Sequence, residues 1–256
     1  MIRALLWDVD GTLAETERDG HRRAFNQAFA DVGVPWRWGE ERYGALLAIA
    51  GGRERLLHDM QEQAAAPASA LAREQLVEEI HRRKNQYYQQ IVRRGELPLR
   101  AGVAELLADC AQAGVRVGVV TTTTRSNAAA LLDSQLGASW EALFAVVVCA
   151  EEAPRKKPDP QAYQRALATL GLRPHEAVAV EDSPAGLQAA WRAGVPVLIT
   201  RSHYFLATAG EGALAVGRSL GSSAGWLPAA DATLPRVTLT QISSWYANSD
   251  WAARTH

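Results

Sequence analysis

The sequence has little cysteine. Its 256 residues include two, Cys110 and Cys149, which lie far apart in the chain. Two thiols cannot supply the disulfide framework of a small secreted protein, and these two lack the paired spacing of a zinc site. We therefore expect both thiols to be reduced, as is typical of proteins in a reducing compartment such as the cytoplasm.

The sequence also lacks a long apolar run and an excess of charge of either sign. No apolar stretch approaches the ~20 residues of a membrane-spanning helix, and the opening MIRALLWDVD meets acidic residues too early for a signal or transit peptide. The 27 Lys and Arg against 28 Asp and Glu give a formal charge of -1, so no overall field attracts nucleic acid or an anionic membrane. We expect a soluble, cytoplasmic monomer that binds neither.

Short apolar segments of strand length alternate with segments of helical periodicity. Residues 4–7 form a continuous apolar run, which is typical of a parallel strand buried on both faces. Similar runs follow at 115–120, 144–149, 177–180 and 195–199, and helical segments lie between them at 101–113, 125–136, 160–170 and 184–193. The alternation predicts an α/β fold with a doubly wound, Rossmann-like parallel sheet. Such sheets place their sites beyond the carboxyl ends of the strands.

Residues 16–97 interrupt this alternation, because they show helical periodicity and no strand pattern. We therefore predict an α/β core of residues 1–15 and 98–256 with an inserted helical cap of residues 16–97. Both junctions fall near the carboxyl end of the first strand. After residue 200 the pattern weakens, and residues 238–251 predict a last helix that packs on the core.

Two aspartates, Asp8 and Asp10, come directly after the first predicted strand. Residues two apart on an extended chain point to the same side, so the carboxylates can converge, and a divalent cation would offset their repulsion. A surface turn with two solvated acids is the ordinary alternative. A calcium loop fits poorly, because Gly11 falls at the fourth position of the motif rather than the sixth.

Three later stretches place polar groups at the ends of further predicted strands. In VGVVTTTT, Thr121 offers a hydroxyl and a backbone N–H to phosphate oxygens. In RKKPDP, Lys157 precedes a proline that holds it off the following helix, so it can reach back as a point charge. In AVEDSPAG, Glu181 and Asp182 can complete the oxygen shell of a cation. Each stretch has a plain structural interpretation by itself, but the ordered set indicates phosphoryl chemistry.

The set D-x-D-G-T, a strand ending in Thr, Lys-Pro and E-D-S resembles the motifs of the haloacid dehalogenase superfamily of phosphotransferases, and the insertion resembles their helical C1 cap. The resemblance implies that Asp8 is the nucleophile, forming an aspartyl phosphate, and that Asp10 is an acid/base with a carboxyl held near neutral. It implies a Mg²⁺ cofactor whose ligands are the Asp8 carboxylate, the Asp10 backbone carbonyl and Asp182, with Glu181 near it. The transferring phosphoryl oxygens would be held by Thr121, Thr122 and Lys157.

The longest predicted helix of the cap, residues 73–94, has one apolar stripe, formed by Val77, Ile80, Tyr87, Tyr88 and Ile91. Lys84 falls inside that stripe and His81 shares its face, so a solvated basic face explains Lys84 poorly. Earlier in the cap, Gly51 and Gly52 break a helix just before Arg53. Such a break can present backbone N–H groups to an anion, or it can be a simple helical hairpin turn.

The stretches ETERDGHRRAFN, AGGRER and IHRRKNQYY, with TTTTRSN and RKKPDP, resemble the xylulose-1,5-bisphosphate phosphatases of Calvin-cycle organisms. That family removes a Rubisco inhibitor and has a C1 cap with basic groups for the distal phosphate. The resemblance implies that substrate is bound by Glu17, Gly51, Gly52, Arg53, His81, Arg82, Lys84, Thr122, Thr123, Arg125 and Asn127. Two departures concern the distal phosphate: Arg53 stands where the family leads us to expect Lys, and Ala50 where it leads us to expect Thr.

Three alternatives remain open. A β-phosphoglucomutase-like phosphomutase shares the predicted fold and the aspartate pair but returns the phosphoryl group to a sugar. A phosphoglycolate-type phosphatase would leave the cations of the cap unused. A sugar-phosphate-binding sensor without activity would be expected to have lost a carboxylate of the site, whereas all four acidic residues are present.

Overall fold

A parallel sheet forms the centre of the computed structural model, which describes residues 1–63 and 65–253. Its strands are β1 (Ala4–Trp7), β2 (Arg116–Val120), β3 (Phe144–Val148), β4 (Ala177–Glu181), β5 (Val197–Thr200) and β6 (Ala215–Gly217). They pair in parallel in the order β3-β2-β1-β4-β5-β6. The predicted doubly wound α/β fold is confirmed, and the strand order reverses beside β1, where such folds bind ligands.

The helices occupy the intervals that the periodicity predicts. A π-helical turn (Glu17–His21) leads into α1 (Arg22–Asp31), α2 (Glu40–Leu46), α3 (Gly52–Asp59) and α4 (Ala70–Arg93). The sheet is covered by α5 (Val103–Gln112), α6 (Arg125–Leu136), α7 (Gln161–Leu170), α8 (Pro184–Arg192) and α9 (Leu239–Ala247), and α10 (Asp250–Ala253) follows. Within the described part of the chain, none of these helices combines the length and apolarity that a membrane crossing needs.

Alternate residues of β1 enter different hydrophobic layers, as the pleat of a strand requires. Leu5 and Trp7 pack in the layer that α5, α6 and α9 cover, whereas Ala4 and Leu6 pack in the layer beneath α7 and α8. Burial on both faces explains why β1 is apolar throughout. Polar side chains can therefore follow β1 only beyond its carboxyl end, after Trp7.

A third hydrophobic layer belongs to α1–α4 and is dominated by aromatic rings, including Phe25, Phe29, Trp38 and Tyr43. The two chain segments that connect this layer to the sheet pair with each other at Ala14 and Leu99. We refer to α1–α4 as the cap helices. The exact domain limits at residues 16 and 97 stay a prediction.

The structure differs from the sequence expectations after residue 200. The short strand β6 lies inside a segment rich in Gly, Ala and Ser that gave no strand signal, since three residues are too few to show alternation. The predicted last helix does pack on the core, where Ile242 and Trp245 are buried, but it is broken between α9 and α10.

The Asp59 carboxylate, 1% exposed, ties the cap helices together. It accepts hydrogen bonds from Trp38 Nε1 at 2.7 Å, Arg42 Nε at 2.8 Å and Gln63 Nε2 at 2.8 Å. We expect Asp59→Ala to lower the free energy of unfolding in urea by about 3 kcal/mol, because it leaves the Trp38 indole N–H without its acceptor and the Arg42 guanidinium without its buried one. Glu62→Ala removes an exposed partner of Arg42 and should cost less than about 1 kcal/mol. Equal losses in the two variants would contradict this account.

Candidate active site

Polar side chains follow three neighbouring strands at the carboxyl edge of the sheet. Asp8 follows β1, Thr121 follows β2, and Asp182 follows β4. The Asp8 N–H donates to the Val180 carbonyl at 3.0 Å, and the Thr121 N–H donates to the Val148 carbonyl at 3.0 Å. Because β1 lies between β2 and β4, the backbone bonds that align the strands also bring these residues together.

Lys157 lies among the carboxylates and is 5% exposed. Its Nζ donates to Asp8 Oδ1 at 2.7 Å, to Glu181 Oε1 at 2.6 Å and to the Val120 carbonyl at 2.7 Å. Burial alone would lower the pKa of this ammonium, but the charges of Asp8 and Glu181 outweigh it and raise the pKa. Lys157 therefore remains charged and is held within reach of a group bound at Asp8.

Glu181 orients Lys157 as well as balancing its charge. Besides the lysine, its Oε1 accepts a hydrogen bond from the buried Tyr163 hydroxyl. A Cβ added at Gly186, in the first turn of α8, would overlap the Glu181 carboxylate. The absence of a side chain at position 186 thus makes room for Glu181 against the start of the helix.

Oxygen atoms of Asp8, Glu181 and Asp182 lie within 4.8 Å of one another, and all three residues are buried. Burial raises the pKa of the Asp8 carboxyl to about 8 despite the opposing charge of Lys157. Burial and the Asp8 charge raise the pKa of Asp182 well above its usual range. A hard divalent cation, which prefers carboxylate and carbonyl oxygen, fits this set, since one lysine does not neutralise it. Asp8 and Asp182 suit such a cation better than Glu181, whose Oε1 already accepts from Lys157 and Tyr163.

Asp10 lies where the chain leaves β1 towards the cap helices. Its Oδ1 accepts hydrogen bonds from the Thr16 hydroxyl at 2.5 Å and from His21 Nε2 at 3.0 Å, and the His21 ring stacks on Tyr88 with centroids 4.1 Å apart. Burial works to raise the pKa of Asp10, but the His21 charge and the two hydrogen bonds outweigh it and lower the pKa to about 2. The expectation of a carboxyl held near neutral is therefore wrong for this arrangement, in which Asp10 is ionised.

Two adjoining cavities separate the sheet edge from the cap helices. The larger, about 610 Å³, contains Asp8, Lys157 and Asp182 in its wall. The smaller, about 160 Å³, lies further into the cap. Both cavities are lined by Asp10, Glu17, Arg55 and Thr122. The smaller one is also lined by predicted substrate-binding residues, namely Gly51, Gly52, Arg53, His81, Lys84, Thr123 and Asn127.

Lys84 is the most unusual of these residues, because it is buried, at 5% exposure, in the apolar stripe of α4. Its Nζ lies 5.1 Å from the centroid of Phe25 and makes one long hydrogen bond, 3.4 Å, to Asn85 Oδ1. Burial lowers the pKa of Lys84 to about 8, although Glu17 and Asp10 oppose the shift. Burial and Lys84 lower the pKa of the neighbouring His81 to about 4, so its ring is neutral near pH 7.

The structure does not bring every predicted residue to these cavities. Arg82 points to solvent and donates to Glu79 at 2.8 Å, because its helical position lies off the buried stripe. Arg125 donates to Glu152 at 2.8 Å and to the Val147 carbonyl at 3.0 Å, on the outside of the core. Both are corrections to the predicted substrate-binding set. Arg53 lines the smaller cavity, but its guanidinium donates to Glu74 and Glu78.

Sequence reasoning missed Arg55 and Lys156. Arg55 is largely buried and lines both cavities, with Nε donating to the Ile49 carbonyl at 2.8 Å and Nη2 3.6 Å from Glu17 Oε1. Lys156 crosses from the core to donate to Glu54 of α3 at 2.6 Å. The sequence signals for them are the spacing Arg53-x-Arg55 and the doubled lysine of RKKPDP.

The family model for haloacid dehalogenase-like hydrolases matches residues 2–194. The chain therefore belongs to the haloacid dehalogenase-like hydrolases, and the resemblance based on its motifs is confirmed. Within that family it is similar to the plasmid-encoded protein CbbY of Cupriavidus necator. The two are 41% identical over 227 residues, which cover 89% of this chain and 89% of the relative.

Solved structures of CbbY from Rhodobacter sphaeroides are similar to this chain. The complex with phosphate is 40% identical in sequence, with a TM-score of 0.80. The superposition covers 86% of this chain and 95% of the CbbY chain. A variant of that protein in complex with xylulose-(1,5)bisphosphate is 39% identical in sequence, with a TM-score of 0.80. This superposition covers 88% of this chain and 99% of the variant's chain.

We expect Asp182→Asn to raise the unfolding temperature in a chelating buffer at about pH 8. The folded state binds the Asp182 proton more tightly than the unfolded state does, because the folded pKa is raised. The stability of the metal-free wild type therefore falls as the pH rises from the ordinary Asp pKa through the raised one, and the variant should lose much of that slope. Thermal unfolding of the wild type and the variant between about pH 5 and 8 measures the unfolding temperature and its dependence on pH.

A divalent cation should raise the unfolding temperature of the wild type but not that of Asp182→Asn. With the cation added, the wild type should therefore unfold at the higher temperature of the two. The exposed Asp133 gives a matched control, because Asp133→Asn should behave as the wild type does. A cation response of equal size in wild type and Asp182→Asn would contradict the assignment of the cluster.

Proposed function

We propose that this hydrolase is a Mg²⁺-dependent sugar-bisphosphate phosphatase that converts the Rubisco inhibitor xylulose 1,5-bisphosphate to xylulose 5-phosphate and phosphate. Its partner is the small-molecule substrate, and it acts in the cytoplasm as a monomer. The relatives support the substrate class, since a CbbY variant 39% identical to this chain was solved with xylulose-(1,5)bisphosphate. The two buried, unpaired thiols are in keeping with a reducing compartment.

The observation that carries the proposal is the presence of cations towards both ends of the space that the two adjoining cavities form. Lys157 lies in the wall of the larger cavity, Lys84 lies in the wall of the smaller one, and Arg55 lines both. A phosphate group at each end would match this distribution of charge. A small monophosphate would occupy one end and leave the buried Lys84 without an anion, at a cost in desolvation.

In the first half of the reaction, an Asp8 carboxylate oxygen attacks phosphorus and the bond from phosphorus to the sugar oxygen breaks. Asp10 donates a proton to that oxygen, giving the alcohol and the aspartyl phosphate of Asp8. Asp10 is ionised in the arrangement described above, and the negative charge of an arriving phosphate raises the pKa of such a carboxyl, which lets it carry the proton.

In the second half, Asp10 takes a proton from a water molecule, whose oxygen attacks phosphorus and releases Asp8. Lys157, the hydroxyl groups of Thr121 and Thr122 and the backbone N–H of Thr122 hold the phosphoryl oxygens, since the Thr121 N–H is already bonded to the Val148 carbonyl. The carboxylates of Asp8 and Asp182 and the backbone carbonyl of Asp10 would hold Mg²⁺, which when bound would offset negative charge on the phosphoryl group. Glu181 keeps Lys157 in place.

We expect the full chain with Mg²⁺ to release one phosphate from xylulose 1,5-bisphosphate and to leave xylulose 5-phosphate. Asp8→Asn removes the nucleophile and should lower kcat by at least about 1,000-fold, whereas Asp133→Asn should change nothing. Free phosphate measured against time gives the rates. Phosphate release that survives Asp8→Asn unchanged would overturn the mechanism.

The same assay separates the competing functions. Hydrolysis of ribulose 1,5-bisphosphate at an equal rate would rule out a role in protecting Rubisco, because the enzyme would destroy Rubisco's own substrate. Formation of glucose 6-phosphate from β-glucose 1-phosphate and a trace of glucose 1,6-bisphosphate, with no free phosphate, would identify a mutase instead.

We expect the KM for xylulose 1,5-bisphosphate to rise above about pH 8, where Lys84 loses its proton. The charged lysine is the form that binds a distal phosphate, so affinity is retained below its pKa and falls by up to about tenfold for each pH unit above it. Lys84→Met should raise the KM and abolish this dependence. Phosphoglycolate, which has no distal phosphate, serves as the control substrate and should show neither effect. An unchanged pH profile in Lys84→Met would show that another group titrates.

A further inference from the structure

The segment that follows β5 runs from the core onto the cap helices. Residues 201–208, which we call the strap, connect β5 towards β6 without forming a helix. Tyr204 and Phe205 of the strap pack against the hydrophobic layer of the cap helices, although the strap belongs in sequence to the core. Phe205 also lines the larger cavity. The strap is thus a wall of the site as well as a contact between core and cap.

The contact at Tyr204 depends on a glycine in the cap. Gly44 lies in α2, and a Cβ placed there would lie 3.0 Å from Tyr204 Cδ1 and 3.2 Å from Cε1. Glycine inside a helix costs roughly 0.5–1 kcal/mol relative to alanine, so its presence in α2 calls for a reason, and the close approach of the tyrosine supplies one. The ring also packs against Tyr43, with centroids 5.8 Å apart.

Beside Tyr204, polar groups also connect the strap to the cap and to the segment that leads into it. His203 Nε2 lies 3.5 Å from Glu40 Oε2 of α2, and His203 Nδ1 lies 3.5 Å from the Arg18 guanidinium at the start of the cap. The backbone N–H of His203 donates to Glu15 Oε2 at 3.3 Å. The tip of the strap therefore meets the cap through both apolar and polar contacts.

The root of the strap is fixed to the core at the reaction site. The Thr208 hydroxyl donates to the Asp182 carbonyl at 3.3 Å. Arg100, on the segment that returns from the cap, donates to the carbonyls of Thr200 at 2.9 Å and Arg201 at 2.7 Å, and also to that of Gly11. Both ends of the strap are therefore held by residues of the core near the site.

We propose that Tyr204 is a positioning residue that latches the cap closed over the bound sugar bisphosphate. The inference rests on the proposed function. Substrate reaches the buried Asp8 only when cap and core separate, and the contact of Tyr204 with Gly44 and Tyr43 exists only when they have come together again. Its free energy therefore counts toward the closed state, with or without substrate, and not toward the folding of the core or the cap alone.

Tyr204→Ala in the full chain tests the latch. It should raise the KM for xylulose 1,5-bisphosphate about tenfold, since an aromatic contact and its buried area are lost from the closed state. The rate with acetyl phosphate, which is too small to bridge core and cap, should stay within twofold. Leu206→Ala is the matched control, because Leu206 is a strap residue that is 49% exposed, and it should leave both substrates unaffected. An unchanged KM for the bisphosphate, or an equal loss with both substrates, would overturn the latch.

A double-mutant cycle identifies the contact itself. Gly44→Ala should raise the KM in the wild type, because the new methyl group displaces the Tyr204 ring, and should have no further effect in the Tyr204→Ala protein. Additive effects would mean that the two residues act separately.

Small-angle X-ray scattering of the substrate-free proteins should give a larger radius of gyration for Tyr204→Ala than for the wild type or Leu206→Ala. Equal radii would count against the latch. This measurement needs no substrate, so it tests the latch even if the bisphosphate proves not to be hydrolysed.

Discussion

The contact of the Lys157 ammonium with Asp8 and Glu181 is the interaction on which the site depends. Three buried carboxylates meet where the order of the strands reverses, and without a cation among them their repulsion would add to the cost of their burial. The lysine reaches them from the segment before α7. Its partners leave it charged, and the same contact places it beside any group bound at Asp8.

This constraint separates the tasks of core and cap. The core supplies the groups that suit bond breaking, and they are fixed by strand pairing, which no movement of the cap disturbs. The cap supplies cations whose charge is only partly compensated, above all Lys84, buried against Phe25 and Tyr88. A lysine in an apolar helical stripe lowers the stability of the cap, which is understandable if an anion is bound there for part of the catalytic cycle.

The sequence predicted the core better than the cap, for a physical reason. A buried parallel strand is a continuous apolar run, so the polar residue that ends it, such as Asp8 or Thr121, stands out and its place in space follows from the topology. In the cap, the direction of a side chain depends on where each helix begins. Because α3 begins at Gly52, Arg53 and Arg55 point to different sides, since residues two apart lie about 200° apart around a helix. Arg82 differs from Lys84 in the same way.

The protonation of Asp10 could not be predicted from sequence, because its partners belong to the cap and those of Asp8 belong to the core. Thr16 and His21 lie at the start of the cap, whereas the lysine that serves Asp8 lies in the core. Movement of the cap therefore changes the hydrogen bonds and the positive charge around Asp10 and leaves those around Asp8 in place. Those contacts outweigh the effect of burial and hold the Asp10 pKa down. The ionised state of Asp10 thus depends on residues outside the core, whereas the ammonium beside Asp8 belongs to the core.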